Sequence, residues 1–289
     1  MQQDLAKRIN ALRDDRIHGA GWLTRYALET LIEAADKAQG RSMFDFIKEV
    51  KGISDEQINA RPGLVSIANI SSLYLLQIQD SARSHRTFSA LANESVRRGR
   101  ELLLKMEKAT AQAAANCADR LFDGGTIITC SYSSLVIRSL ATARKRGLKF
   151  EVIACKSMID SISYGMKMSM DLAENHINHK VVGDNEIPKL VRSASKVLIG
   201  ADVVLPSGDI INGIPSMQLA TSAHIMSIPV VSVCQTAKFD THDRLGKGHI
   251  PERGFDTIPY GLWSQIITES GNIVKNDFGK YFESVKAVF

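Results

Sequence analysis

Several features of secreted, membrane-bound and metal-dependent proteins are missing from this sequence. Its 289 residues include four cysteines, none of which forms a CxxC pair or has a histidine at zinc-ligand spacing. No apolar run approaches the ~18 residues of a membrane span, and the first residues lack the charged-then-apolar pattern of a signal peptide. The sequence therefore predicts a cytoplasmic protein with reduced, mostly buried thiols and no metal site.

Concentrated positive charge is also scarce, although the formal net charge is +5. The densest basic clusters, at residues 97–100 and 144–146, lie within or at the end of helical stretches. No aromatic residues interleave with them, so we expect no nucleic-acid binding. A GxGxxG loop is absent after the first predicted strand, because Gly124-Gly125 precedes that strand. This argues against a Rossmann dehydrogenase, and no cofactor is expected.

Two kinds of hydrophobic pattern divide the chain. Residues 1–121 repeat apolar positions at helical spacing. From residue 122 to residue 289, short β-branched runs such as 126–129 and 150–155 alternate with helical stretches. That alternation predicts a parallel sheet with right-handed crossovers. The fold class expected is α/β, with an N-terminal helical domain (1–121) followed by a Rossmann-like parallel-sheet domain (122–289).

Ligands of parallel sheets bind beyond the carboxyl ends of the strands, so the segments at those ends are the candidate site. The first predicted strand leads through Cys130, Ser131 and Ser133 into a helix, whose positive end suits a phosphate and lowers the pKa of a nearby thiol. Ser133 is either a ligand contact or a helix cap. After the fourth strand, Asp209 is either a catalytic carboxylate or a turn residue.

Motifs spread along most of the chain carry a family resemblance. They are Ile17-His18-Gly19-Ala20-Gly21, Ala60-Arg61-Pro62, Gly200-Ala201-Asp202, Gly208-Asp209-Ile210-Ile211, Asn212-Gly213-Ile214-Pro215-Ser216, Ala237-Lys238-Phe239 and Ile266-Ile267-Thr268-Glu269. In this order they resemble the family shared by the alpha, beta and delta regulatory subunits of eukaryotic translation initiation factor 2B, the methylthioribose-1-phosphate isomerases and the ribose-1,5-bisphosphate isomerases.

The resemblance implies a phosphorylated small-molecule ligand and two-fold dimers, alone or within a larger oligomer. In the family's enzymes a Cys and an Asp move protons while an aldose 1-phosphate becomes a ketose. Asp209 falls on that Asp, Ser131 occupies the Cys position, and Cys130 replaces the residue before it. The ligand-binding positions carried over are Gly19, Ala20, Gly21, Arg61, Ser133, Lys156, Asn212 and Lys238.

Departures from the family pattern leave two main functions open. Lys156 stands where the enzymes have a phosphate-binding Arg, Gly213 replaces a Lys, and His18 replaces an Arg. The leading hypothesis is a sugar-phosphate-binding protein with isomerase activity, in which Asp209 works with Cys130 or Ser131. The alternative is a non-catalytic regulatory protein that senses a phosphorylated sugar or nucleotide, with a translation factor as a partner. A purely structural assembly subunit is a third reading.

Overall fold

A computed structural model describes residues 2–38, 42–246 and 248–289. The chain divides into two compact units, residues 1–108 together with Phe289, and residues 109–288. The sequence prediction put the boundary at residue 121, close to the end of a long helix. The units divide inside that helix because its last turns, with Ala113, Ala114 and Cys117, pack into the core of the second unit.

The first unit is helical, as the sequence predicts. Its helices are α1 (Gln2–Asp14), α2 (Ala20–Lys37), α3 (Met43–Ala60), α4 (Val65–Ser84) and α5 (Phe88–Ala118), which continues into the second unit. Small and branched apolar side chains such as Leu23, Ala27 and Ile67 are buried together between the helices. Ser42 begins α3 by accepting a hydrogen bond from the Asp45 N–H at 3.1 Å, which satisfies one free donor of the first turn.

The second unit is built on a sheet. Its strands are β1 (Gly125–Thr129), β2 (Phe150–Cys155), β3 (Met158–Ile159), β4 (Ile162–Ser163), β5 (Asn178–Val182), β6 (Lys196–Ile199), β7 (Val203–Val204), β8 (Ile210–Gly213), β9 (Val230–Val233), β10 (Phe255–Ile258), β11 (Gln265–Thr268) and β12 (Gly271–Val274). Its helices are α6 (Ser134–Lys145), α7 (Tyr164–Glu174), α8 (Ile187–Leu190), α9 (Ser216–Ile225) and α10 (Phe278–Lys286). The strands bury branched apolar side chains on both faces, as a covered parallel sheet requires.

The strand order identifies the sheet type. In the described part of the unit, the main sheet has the order β12-β11-β9-β6-β1-β2-β5. All neighbouring pairs from β11 to β5 are parallel, and β12 is an antiparallel edge strand. Numbered along the chain, the parallel strands follow the order 3-2-1-4-5-6 of a doubly wound Rossmann sheet. The predicted α/β fold class is confirmed.

The strand order also locates the switch point of the sheet. From β1 the chain moves to β2 and β5 on one side, whereas β6 leads to β9 and β11 on the other. Because β1 and β6 are parallel neighbours, their carboxyl ends meet at one edge, as the sequence predicts. Ligands of doubly wound sheets bind in the crevice at such a point.

Within residues 2–38, 42–246 and 248–289, no helix combines the length and the apolar character required to cross a membrane.

Candidate functional site

The loops that follow β1 and β6 touch each other at the switch point. A Cβ placed on Gly200 would lie 2.8 Å from Ser133 Oγ, so only glycine lets the two loops approach so closely. Ser133 is the N-cap of α6, and its hydroxyl accepts a hydrogen bond from the Val136 N–H at 3.3 Å. Ser133 therefore caps the helix, and its contact with a ligand stays a prediction.

Ser131 is held in a strained conformation at this edge. Its φ is 62°, in the left-handed region, where a residue other than glycine costs of the order of 1–3 kcal/mol and where functional sites are over-represented. The Ser131 N–H donates to Ser157 Oγ at 2.7 Å, and Ser157 itself is left-handed, with φ of 49°. The Ser131 side chain packs directly against Gly213. The backbone and a close glycine thus fix the position of the hydroxyl.

Cys130 does not face the site. It is 1% exposed, and its Sγ lies 3.2 Å from Ser216 Oγ. Burial raises the pKa of the Cys130 thiol to about 12, although the Ser216 contact lowers it. The expectation that the start of α6 lowers the pKa of this thiol was wrong, because the side chain is buried against Ser216 and burial disfavours the charged thiolate.

Asp209 belongs to a turn. Its Oδ1 accepts a hydrogen bond from the Tyr260 N–H at 2.8 Å, and its Oδ2 accepts one from the Ser207 hydroxyl at 2.9 Å. Strand β8 then carries the chain away to Gly213, the residue that Ser131 contacts. Four extended residues span ~13 Å along β8 between Asp209 and Gly213. The hydrogen bonds of Asp209 support turn formation, and its pairing with Ser131 or Cys130 as acid and base stays a prediction.

A different carboxylate lies at the carboxyl end of β6. Asp202 is half-buried and its Oδ1 is 3.8 Å from the Lys238 Nζ, which also donates to the Ala201 carbonyl. Lys238 lies in a short turn after β9 that is anchored by Glu269, whose carboxylate accepts the Thr236 N–H at 3.0 Å. In the sequence, Asp202 stands out only as part of the Gly200-Ala201-Asp202 motif. Its position three residues after a buried strand was the signal that could have identified it.

The two remaining candidates of the second unit differ in exposure. Lys156 follows β2, next to β1, and its side chain is exposed at the same edge of the sheet. Asn212 is 4% exposed, and its Nδ2 donates to Ser216 Oγ at 2.7 Å. Lys156 is therefore available to a ligand, whereas Asn212 supports the start of α9.

The candidates of the helical unit gather around the start of α2. Gly19 is the N-cap, followed by Ala20 and Gly21, and no atom lies within 4 Å of a Cβ placed on either glycine. Arg61 ends α3 and its Nη1 donates to the Asp15 carbonyl at 2.8 Å and to the Leu12 carbonyl at 3.4 Å. Arg61 thus holds the loop before α2 in place. Phosphate binding by these four residues stays a prediction.

A separate cavity opens at the opposite, amino-terminal edge of the sheet. It has a volume of about 480 Å³ and lies where the chain enters β9 and β11, with Pro229 and Ser264 in its wall. His224 and Lys275 also line it. It contains none of the predicted site residues, so it is an alternative location for a ligand.

The comparisons with known proteins establish the family. Residues 16–256 match the Initiation factor 2 subunit family. The chain belongs to that family. The resemblance inferred from the motifs is confirmed.

Relatives within the family include initiation-factor-like proteins and sugar-phosphate isomerases. A translation initiation factor eIF-2B subunit 2-like protein of Pyrococcus horikoshii is 26% identical, over 92% of this chain and 95% of the relative. The ribose 1,5-bisphosphate isomerase of Archaeoglobus fulgidus is 25% identical, over 94% and 90%. Sugar-phosphate isomerases are therefore among the relatives of this protein, at nearly the same identity as the initiation-factor-like proteins.

Solved structures share the fold. The crystal structure of translation initiation factor eIF-2B from P. horikoshii superposes with a TM-score of 0.80 at 24% identity, covering 95% of this chain and 98% of that one. A 5-methylthioribose 1-phosphate isomerase from the same organism gives 0.75 at 17%, covering 99% and 88%. At these identities the likeness concerns the fold alone. The expected dimer and the translation-factor partner stay predictions.

Proposed function

We propose that this protein binds a phosphorylated sugar in the crevice between the carboxyl ends of β1 and β6. The observation that carries the proposal is the contact of Ser133 with Gly200, which joins the two loops at the switch point, where ligands of this fold bind. Ser131 precedes that contact and Asp202 follows it along the chain. A hydroxyl and a carboxylate are suitable partners for the hydroxyl groups of a sugar.

A phosphate group finds two favourable features at the same edge. The first is the N-terminus of α6, which begins at Ser134 and spans 12 residues, so that its positive end faces the crevice. The second is the exposed ammonium group of Lys156 at the end of β2. Lysine binds phosphate as a point charge rather than through the fork of an arginine, so we expect moderate affinity.

We further infer that the ligand is bound without rapid isomerisation. Moving hydrogen between neighbouring carbons of a sugar requires a paired acid and base at the reacting atoms. The Cys130 thiol is buried with its pKa raised to about 12, and both carboxylate oxygens of Asp209 accept hydrogen bonds within a turn. These contacts favour a ligand-sensing role over fast catalysis.

Isomerisation is the second candidate function, and Asp202 is the observation that favours it. Its carboxylate lies at the site edge, 3.8 Å from the Lys238 ammonium. Asp202 would move the proton, and Lys238 would stabilise the negative charge that develops on the sugar oxygens. Ser131 would be the second proton-transfer group. An alcohol is a poor acid at neutral pH, so turnover through this pair would be slow.

The test combines binding with conversion. Wild-type protein is titrated calorimetrically with ribose 1,5-bisphosphate, 5-methylthioribose 1-phosphate, ribose 5-phosphate and AMP, and each mixture is then followed by NMR for ketose formation. We expect at least one of these ligands to bind and the sugar to remain an aldose. Lys156→Ala should weaken binding about tenfold, the scale of one charge-assisted contact. Lys149→Ala is the control, since Lys149 is exposed at the opposite end of β2.

Three outcomes decide between the readings. Binding without conversion supports the sensing role. Conversion that Asp202→Asn abolishes, while binding is kept, would establish the isomerase instead. No binding of any of the four compounds would refute the proposed function.

A further inference from the structure

The hairpin β3–β4 stands beside Ser131, and its base is firmly held. The N–H groups of Ser157 and Met158 donate to the Asp184 carboxylate at 2.9 and 3.4 Å. The Gly165 N–H closes the base by donating to the Lys156 carbonyl at 3.1 Å. Since Ser157 also accepts the Ser131 N–H, the hairpin starts at the residue that holds the Ser131 loop.

The tip of the hairpin is held by two side-chain contacts. Asp160 forms an ion pair with Arg253. Ile159 packs on Gly254, where a Cβ would lie 2.8 Å from the Ile159 Cδ1. In contrast to the base, the tip has no hydrogen bond to the main sheet among the contacts of the described residues. The Asp160–Arg253 ion pair and the contact of Ile159 with Gly254 therefore join the tip to the segment before β10.

The residues that receive the tip lie at the site. The Gly254 carbonyl accepts the Ile214 N–H at 3.0 Å, which ties this segment to the end of β8. The same carbonyl lies 3.8 Å from the position of a Cβ on Gly213, the glycine against which the Ser131 side chain packs. The hairpin therefore meets its receiving segment directly beside Ser131.

We propose that the β3–β4 hairpin is a lid over the Ser131 end of the crevice and that Asp160–Arg253 is its latch. The side chains of the pair are 62% and 82% exposed, so water and salt weaken their attraction and the latch opens readily. Gly254 is the seat for Ile159, whose Cδ1 would lie 2.8 Å from a Cβ placed there. The identity of the ligand that passes the lid rests on the proposed function. The opening of the lid depends on the hairpin alone.

The accessibility of the side chain at position 131 to a small reagent measures how often the hairpin opens, and no ligand is needed. A Ser131→Cys variant is alkylated with iodoacetamide, and the rate at that position is followed by mass spectrometry. The native thiols give little background, because Cys117, Cys130, Cys155 and Cys234 are buried and burial raises the pKa of each. The latch predicts a rate that increases with NaCl concentration, since salt screens the ion pair.

Variants of the latch and of the seat are made in the Ser131→Cys background. Arg253→Ala should raise the alkylation rate roughly two- to fivefold, the range for an exposed ion pair, and should remove the salt dependence. Arg253→Lys, which keeps the positive charge, should retain the slow rate. Ile159→Ala should raise the rate even with the pair intact, because it removes the apolar contact with Gly254. Arg83→Ala is the matched control, since Arg83 is 83% exposed and pairs with Asp80 on α4.

The result expected is faster alkylation in Arg253→Ala and Ile159→Ala, with the control unchanged. Equal rates in all variants would overturn the lid. If Ser131→Cys does not fold, hydrogen exchange of the Ser131 amide in the otherwise native chain replaces alkylation, and Arg253→Ala must then reduce its protection. No sugar phosphate is present in either measurement, so a failure of the proposed function would leave this result unaffected.

Discussion

Removing the thiol of Cys130 should change the stability of the protein in a way that depends on pH. The side chain is fully packed, with Sγ against Ser216 Oγ at 3.2 Å. At pH 7, Cys130→Ala should therefore lower the free energy of unfolding by about 1–2 kcal/mol, the loss expected for about one or two buried methylene-sized groups and the space left behind.

Alkaline pH should reverse this difference. Burial raises the pKa of the Cys130 thiol from its usual 9.0 to about 12. Between these values the unfolded chain releases the proton while the folded chain keeps it, so the folded state binds more protons and stability falls as pH rises. The loss is about 1.4 kcal/mol per pH unit. The alanine variant lacks this loss, so its stability curve should cross that of the wild type near pH ~10.

Urea unfolding at a series of pH values from neutral to alkaline measures both curves. Ile128→Val is the control, because it removes one methylene from a buried residue of β1, the strand that ends just before Cys130, without removing an ionisable group. Its deficit of about 1 kcal/mol should stay constant with pH. A constant deficit for Cys130→Ala as well would mean that the thiol ionises in the folded protein as easily as in the unfolded chain. That result would refute the buried-thiol assignment and restore Cys130 as a candidate acid.

Two further substitutions test the turn and the helical unit. Asp209→Asn should lower the free energy of unfolding by about 1 kcal/mol, because the Tyr260 N–H loses a charged acceptor. Ligand binding and any turnover should stay unchanged. Loss of turnover with unchanged stability would instead support the catalytic role of Asp209. Arg61→Ala should lower stability by about 2 kcal/mol in urea unfolding, since its guanidinium group donates to two backbone carbonyls. Weaker sugar-phosphate binding by the same variant would add the phosphate contact predicted from the motif, and unchanged stability would contradict the structural role.

The fold was predictable because its signals are local. Runs such as 126–129 and 150–155 are short, β-branched and separated by helical stretches, and that spacing implies parallel pairing with crossovers. The adjacent carboxyl ends of β1 and β6 follow from the same rule. The two-residue strands at Val203–Val204 and Met158–Ile159 carry too few residues to show a period, so the sequence could not predict the hairpins that they form.

Tertiary contacts decide the roles at the site. Cys130 follows β1, whose side chains are buried on both faces of the sheet, so the alternation of the strand could not show that its thiol packs against Ser216. The position of Asp209 depends on how far the β7–β8 hairpin extends before Gly213, which the sequence does not show. The family resemblance placed Asp209 on the catalytic Asp of the enzymes, and that role stays a prediction. The structure leaves Asp202 at the strand end.

The most direct test of the central claim is to soak crystals of the protein with ribose 5-phosphate and to determine the structure by X-ray diffraction. The account predicts electron density for the sugar phosphate at the carboxyl edge, in contact with Ser131 or Asp202 and with its phosphate near Lys156 and the start of α6. Density only in the cavity of about 480 Å³ at the amino-terminal edge, beside Lys275 and Ser264, would contradict it.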